Sequence, residues 1–163
     1  MTIFTEAQAR EILEKTVALS TADECTATLA GSIDGNIRFA LNNVSTSGIV
    51  SNAELAVQVA FGKRVGTASI NAFDDASLRS VVKRAEDLAR LAPENPEFLP
   101  AIGKQEYRPS PTFSESTAAI TPEFRAQVAA GSITPCRAEQ LIAAGFLDDG
   151  KNFVAFANSN GNF

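Results

Sequence analysis

The sequence predicts an α+β fold in which a four-stranded antiparallel sheet is covered on one face by two helices. Apolar residues recur every three to four positions over residues 5–19 and 74–92, which is typical of amphipathic helices. Between them, residues 25–72 largely alternate apolar and polar side chains, as half-buried strands do. Six of the seven prolines lie between Pro93 and Pro122, which indicates an extended connection after the second helix.

The first predicted helix, residues 5–19, begins with a capping box. The Thr5 hydroxyl can accept a bond from a backbone N–H of the first turn, and the Gln8 side chain can return one to the Thr5 backbone. The apolar stripe that should face the sheet is Ala9, Ile12, Leu13, Thr16 and Leu19.

Four strands are predicted, each with one apolar face and one face of small or polar side chains. Asp34-Gly35 and Gly62-Lys63 are two-residue hairpin signals, and the Ser/Thr/Gly-rich stretch before residue 53 is interpreted as a connection. Consecutive hairpins make the sheet antiparallel. The strands are residues 25–33, 37–44, 53–61 and 64–72.

The second helix carries the strongest helical pattern. Asp74 can cap it and Pro93 ends it. Its charges form (i, i+4) pairs that are expected on a solvated face, Glu86–Arg90 among them. The apolar stripe is Leu78, Val81, Val82, Ala85, Leu88 and Ala89.

The remaining chain predicts a smaller helix-helix-strand segment after the Pro-rich connection. Two short helices are expected at residues 122–130 and 136–144, with Gly145 as the C-terminal cap of the second. A strand is expected at residues 152–157. Asn160-Gly161 is a hairpin signal whose return strand would lie beyond residue 163, so this segment is predicted to be truncated. The predicted organisation is a sheet domain at 1–92, a connection at 93–121 and the start of a second α/β segment at 122–163.

Composition excludes several classes of function. The chain has no His, so it cannot supply a serine triad, a Cys-His dyad or an HExxH zinc site. Its net charge of −5 disfavours nucleic acid as a partner. No signal peptide and no apolar run of membrane-spanning length is present in the sequence, and Cys25 and Cys136 fit reduced, packed thiols, so a cytoplasmic location away from membranes is expected.

The candidate binding residues are Arg38 and Asn42. In the predicted second strand they lie four residues apart on the polar face, where a guanidinium and an amide could hold a peptide backbone or a partner subunit. A simply wetted surface is the alternative. A thiol nucleophile at Cys136, next to Arg137 and near a predicted helix start, is a further interpretation that would need an activating base.

Four segments carry a family resemblance. They are residues 36–42 (NIRFALN), 61–68 (FGKRVGTA), 77–96 (SLRSVVKRAEDLARLAPENP) and 157–161 (ANSNG). In this order they resemble the N-terminal part of the TldD/PmbA proteins, a family of zinc metallopeptidases also called modulators of DNA gyrase.

The resemblance implies that the chain is the first part of a longer subunit. Active members carry an HExxxH zinc site further downstream, while inactive members pair with an active subunit, and the assembly cuts unfolded peptides. No catalytic residue and no metal ligand of the family can be placed on this chain, so zinc is expected in the parent complex and no cofactor in the chain itself. Whether the parent subunit is itself the enzyme stays open at this point.

The function expected from this resemblance is a non-catalytic region of a metallopeptidase subunit that helps to form the subunit interface and the peptide cleft. The expected partners are the rest of its own polypeptide, a homo- or heterodimeric subunit and an unfolded peptide. The alternative from another class is a free-standing binding or adaptor module.

We expect the chain to bind no zinc tightly and to hydrolyse no peptide, because it has no His and only two thiols, which are far apart in sequence. Dialysis followed by metal analysis measures the first property, and cleavage of a casein-like substrate measures the second. Stoichiometric zinc or metal-dependent cleavage would contradict this expectation.

Overall fold

The protein is described by a computed structural model, which covers residues 3–163. Four strands form one antiparallel sheet in the order β3-β2-β1-β4, so β3 and β4 are its edge strands. The predicted α+β class is confirmed. The elements are α1 (Glu6–Ala18), β1 (Glu24–Ala40), β2 (Asn43–Phe61), β3 (Arg64–Ile70), α2 (Asp75–Leu91), α3 (Glu115–Ala118), α4 (Pro122–Ala138) and β4 (Gly145–Asn158).

The predicted hairpin at Asp34-Gly35 is wrong, because β1 runs through it as one continuous strand. Gly35 serves a close approach instead of a turn: a Cβ there would lie 2.2 Å from Nη1 of Arg125. The chain reverses at Leu41-Asn42, whose φ angles of 50° and 60° are those of the hairpin turn that matches strand twist. The strands predicted at residues 25–33 and 37–44 are therefore the single strand β1, and β4 supplies the fourth strand of the sheet.

The Ser/Thr/Gly-rich stretch before residue 53 is part of β2 and is not a connection. Small and β-branched side chains such as Thr46 and Ile49 suit a pleated strand. The second hairpin is confirmed at Gly62-Lys63, where Phe61 pairs with Arg64 and Gly62 has a φ of 57°.

The described residues group into two compact units that are not continuous in sequence. The α1–α2 unit comprises residues 3–31, 53–109 and 153–163. The α4 unit comprises residues 32–52 and 110–152. The sequence-based division at 92 and 121 follows chain order and stays a prediction, because strands β1 and β2 contribute to both units.

The core of the α1–α2 unit forms between the two helices and the oily face of the sheet. Leu13, Leu29, Leu55, Val57 and Leu78 are almost completely buried there. The capping box at Thr5 and the cap at Asp74 are both present, so the sequence signals for the two helices are confirmed.

Glu86 departs from the predicted solvated face of α2, because its side chain is only 9% exposed. Its Oε1 accepts bonds from the Thr21 N–H at 2.6 Å, the Thr21 hydroxyl at 3.0 Å and the Ser20 hydroxyl at 3.2 Å. Its Oε2 accepts from Arg90 at 3.2 Å. The carboxylate thereby fastens the loop that follows α1 to the side of α2.

The α4 unit contains one 17-residue helix where two short helices were predicted. Pro135 lies inside the last turn of α4 and does not separate two helices, so Cys136 is not at a helix N-terminus. Gly145 begins β4 and is not a helix cap. The small core of this unit is Ile37, Phe39, Ala129, Ile133 and Ala143.

Gly66 is required for the contact between β3 and α2. A Cβ at this position would lie 2.2 Å from the Ala85 carbonyl oxygen and 2.3 Å from the Ala89 nitrogen, which are backbone atoms that cannot rotate away. We expect Gly66→Ala to lower the free energy of unfolding by about 3 kcal/mol, because α2 must shift off the sheet. Urea denaturation measures the change.

Gly48→Ala is the matched control, because nothing lies within 4 Å of a Cβ built on Gly48. It should change stability by less than about 1 kcal/mol. Equal effects of the two substitutions would mean that α2 does not rest on the Gly66 backbone.

Stability should depend on pH through Glu86. Burial acts to raise the pKa of Glu86, but the bonds from Thr21, Arg90 and Ser20 together outweigh it and hold the pKa below its ordinary value. A depressed carboxyl pKa stabilises the fold above the unfolded pKa of about 4.3, and this stabilisation is lost as pH falls through the lower folded pKa. We expect Glu86→Gln to cost about 1–3 kcal/mol at pH 7 and progressively less below pH 4.

Thermal melts of both proteins between pH 7 and pH 3 measure this difference. Glu54→Gln, at an exposed strand position, is the control and should leave the melts unchanged. A Glu86→Gln cost that does not shrink in acid would assign the effect to packing and not to charge.

Candidate functional site

Arg38 is exposed near the end of β1, as its place on the predicted polar face requires. Its guanidinium carbon lies 5.4 Å from the centre of the Phe146 ring, which is 56% exposed on β4. A cation above a ring face is attracted by the ring quadrupole, so the two side chains orient each other. Together they form a small cationic-aromatic platform in the α4 unit.

The platform lies on the open face of the sheet. Ile37 and Phe39, the neighbours of Arg38 along β1, point to the opposite face, where Ala129 and Ile133 of α4 cover them. The hydroxyls of Ser45 and Ser47 on β2 donate to the carbonyls of Arg38 at 3.2 Å and Asn36 at 3.1 Å, and so occupy β1 backbone acceptors.

Asn42 does not share this face, which corrects the sequence-based placement. It lies in the β1–β2 turn, because β1 continues through Gly35 and ends at Ala40. Its Oδ1 accepts from the Ala143 N–H at 2.7 Å, and its Nδ2 donates to the Leu141 carbonyl at 2.8 Å. Its own carbonyl accepts from Arg137 at 2.6 Å.

Arg38 and Asn42 therefore have different surroundings. Both polar atoms of the Asn42 side chain are used to tie the turn to the segment that joins α4 to β4. The Arg38 side chain is exposed, so its guanidinium can donate to a carboxylate or a backbone carbonyl in fixed directions. Chemically the platform can bind an extended chain by its oxygens and an apolar side chain, but it carries no nucleophile and no general base.

Arg125 is a buried cation that sequence reasoning missed. It is 2% exposed, and its Nη1 lies 2.5 Å from Oδ1 of Asp149 on β4. Its Nε is buried and has no hydrogen-bond partner among the described residues. The signal was present, because Arg125 lies on the same helical stripe as Ala129 and Ile133, where a charge is unexpected.

In the α1–α2 unit, an asparagine clamp closes the end of β4. The Asn160 Nδ2 donates to the carbonyls of Ala101 and Ile102 at 3.1 and 2.9 Å, and the Asn162 Oδ1 accepts from the Gln105 N–H at 2.7 Å. Asn158 holds the turn by accepting from the Asn160 and Asn162 N–H groups. The Asn-Gly turn signal is thus confirmed, and it fixes part of the Pro-rich connection.

A groove of about 640 Å³ lies beside this clamp. Its lining is more apolar than polar, and the Arg10 guanidinium carbon lies 3.8 Å from the centre of the Phe163 ring. Its lining includes Phe4, Ala9, Tyr107, Phe153 and Phe163.

The Cys25 thiol is not activated by its surroundings. Burial raises the pKa of the Cys25 thiol to about 11, against a smaller opposite effect of the Ser20 hydroxyl, so the thiolate is scarce at neutral pH. Cys136 lies in the last turn of α4 and not at a helix N-terminus.

The donor set does not fit a zinc ion. Within residues 3–163, no three His, Cys, Asp or Glu side chains come close enough together to hold a metal. No helix in the same range is long and apolar enough to span a membrane.

Comparison with known proteins gives a family match. Residues 29–89 match the family model described as PmbA/TldA metallopeptidase domain 1. This range contains the platform residue Arg38, the β2–β3 hairpin and most of α2. No curated protein sequence matches the chain.

Three solved structures share the fold. TldE from Thermococcus kodakarensis aligns with a TM-score of 0.75 at 19% identity, over 94% of this chain and 35% of its own. A proposed modulator of DNA gyrase from Thermotoga maritima aligns at 0.76 and 13%, over 93% and 35%. One from Bacteroides thetaiotaomicron aligns at 0.72 and 15%, over 98% and 38%.

These likenesses establish the fold, and the chain spans little more than a third of the length of each solved structure. The ordered segments that carry the resemblance, the match at residues 29–89 and the shared fold agree. The chain therefore has the fold of these structures, and its residues 29–89 are similar to the first domain of the PmbA/TldA metallopeptidase family.

Proposed function

We propose that this chain is a non-catalytic region of a TldD/PmbA-type metallopeptidase subunit and contributes to its peptide cleft and its subunit interface. The observation that carries the proposal is the Arg38–Phe146 platform on the open sheet face, within a region that matches domain 1 of a family described as metallopeptidases. The unfolded peptide that such an enzyme must hold offers carbonyl oxygens at every residue and apolar side chains at many.

The platform suits a substrate of varied sequence. The Arg38 fork can donate to a backbone carbonyl or a terminal carboxylate, and these groups are present in any peptide. The Phe146 ring can contact an apolar side chain without demanding one shape. Binding of this kind holds a chain in place and leaves the bond cleavage to another part of the enzyme.

Zinc belongs to the proposal only as a cofactor of the parent complex. The donors of this chain do not fit the metal, so no step of the reaction is assigned to its residues. The proposed setting is cytoplasmic, which agrees with two free thiols, and the net charge of −5 supports a peptide and not a nucleic acid as the partner.

We expect Arg38→Ala to weaken peptide turnover by the assembled enzyme about tenfold or more, because it removes a charge-assisted hydrogen bond to the peptide. The domain should stay folded, since the Arg38 side chain is exposed. Arg38→Lys is the matched variant, and should recover only part of the activity because it keeps the charge without the planar fork. Turnover, subunit association and the thermal midpoint are measured together.

Asn42→Ala separates a structural effect from a binding effect. It removes two side-chain hydrogen bonds and places Ala at a φ of 60°, so it should cost about 2–4 kcal/mol of stability.

Wild-type turnover and association in Arg38→Ala would refute the proposed role of the platform and leave the adaptor alternative. Loss of folding in Arg38→Ala would make Arg38 structural.

A further inference from the structure

Two close approaches define how β1 pairs with β4 in the α4 unit. A Cβ at Gly145 would clash with the Phe39 ring, and a Cβ at Gly150 would clash with Oδ1 of Asp34. Both approaches fit a single antiparallel register. The same register places the two residues of the platform directly opposite each other, which agrees with the contact between them.

The open face of this unit carries two exposed charges of opposite sign that leave each other unpaired. In the β1–β4 register, Asp148 lies two residues beyond Phe146 on the same side of β4, opposite Asn36. Arg38 and Asp148 are therefore diagonal neighbours across the ring. Within residues 3–163 no carboxylate forms an ion pair with Arg38, although the chain has 19 acidic and 14 basic side chains. The platform thus offers a cation that no carboxylate of the described residues neutralises.

Ser45 supplies a hydrogen-bond acceptor on the other side of Arg38. The two-residue turn at 41–42 places Ser45 of β2 opposite Arg38, and its hydroxyl donates to the Arg38 carbonyl at 3.2 Å. A hydroxyl that has used its hydrogen in this way presents oxygen lone pairs, which can accept an N–H. Ring, cation and acceptor therefore lie side by side on β4, β1 and β2.

We propose that the platform binds the free C-terminal residue of a peptide, with the α-carboxylate on Arg38 and an apolar last side chain on the Phe146 ring. The inference rests on the proposed function of the platform and names the end of the peptide that it takes. The guanidinium carbon and the ring centre are 5.4 Å apart. One residue can contact both, because its carboxylate and its side chain branch from the same Cα. The N–H of that residue is available to the Ser45 oxygen.

Charge favours a terminal carboxylate over an internal carbonyl as the group on Arg38. A carboxylate neutralises the guanidinium and accepts two parallel N–H bonds from its planar fork, whereas a carbonyl oxygen carries no charge. Asp148 imposes the opposite condition on the far side of the ring, since it repels a second carboxylate. Peptides that end in an apolar residue fit this arrangement, and peptides that end in Asp or Glu do not.

The test compares four peptides as substrates of the assembled enzyme. They share one short sequence and end in Leu or Gly, each as a free acid and as a C-terminal amide. KM of the wild-type enzyme should be about tenfold lower for the Leu acid than for the Leu amide, because the amide loses the charge-assisted bonds. The kcat values should differ less, since the platform holds the peptide and does not cleave it. The Gly acid should have a higher KM than the Leu acid.

Variants of the platform assign each preference to one side chain. Arg38→Ala should bring the acid–amide ratio of KM to about one, because the charge that distinguishes the two ends is gone. Phe146→Ala should remove the preference for Leu over Gly and keep a preference for the acid. Arg84→Ala removes an exposed arginine of α2 and is the matched control, which should keep both preferences.

Equal KM values for acid and amide in the wild-type enzyme would overturn the inference, and they are the result expected if another part of the polypeptide covers Arg38. An acid preference that persists in Arg38→Ala would also overturn it, because the carboxylate would then bind elsewhere. If Arg38→Ala raises KM equally for acid and amide, the platform binds internal backbone and the proposed function stands without the inference. If it changes neither, both fail. The thermal midpoint of each variant shows that a changed KM is not caused by unfolding.

Discussion

The uninterrupted passage of β1 through Gly35 is the constraint on which most of the α4 unit depends. The absence of a side chain at Gly35 lets the Arg125 guanidinium lie directly on the strand, where it meets Asp149. Removing one member of such a buried pair typically costs about 3–5 kcal/mol, because the remaining charge is left without a partner. The glycine that would form a turn in an isolated peptide is thus held extended by a side chain from another element.

The position of the real turn follows from this constraint. With β1 extended to Ala40, the chain reverses at Leu41-Asn42, and Asn42 becomes the residue that fixes the turn to the segment before β4. Arg38, two residues before the end of β1, is left on the open face above Phe146. The same extension lengthens β2 beyond the reach of β3 and creates its uncovered edge.

Sequence reasoning succeeded where the signals are local. Helices α1 and α2 are predicted by a capping residue followed within a few residues by an apolar stripe. The β2–β3 turn is predicted by Gly62-Lys63. It failed where a distant contact decides. Asp34-Gly35 predicts a turn until Arg125 is placed on it, and a new helix is expected to start at residue 136, although α4 continues through Pro135 to Ala138. Arg38 could be placed on the exposed face because the alternation of side chains along a strand is local. The position of Asn42 could not be predicted in this way, because it depends on the residue at which β1 ends.

Charge is distributed unevenly between the parts of the molecule, and this bears on how it can assemble. Lys83 and Arg90 of α2 form ion pairs with Asp87 and Glu86 of the same helix. Glu86 also accepts four hydrogen bonds, which hold it against the fold. From Phe39 to Ala53, by contrast, the chain carries no charge at all, although eight of these residues in succession are exposed on β2. Exposure of a long β-branched strand is costly for a protein that stays alone, since it invites indiscriminate pairing. The stretch from Phe39 to Ala53 therefore lacks the charged side chains that usually protect an exposed strand edge from such pairing.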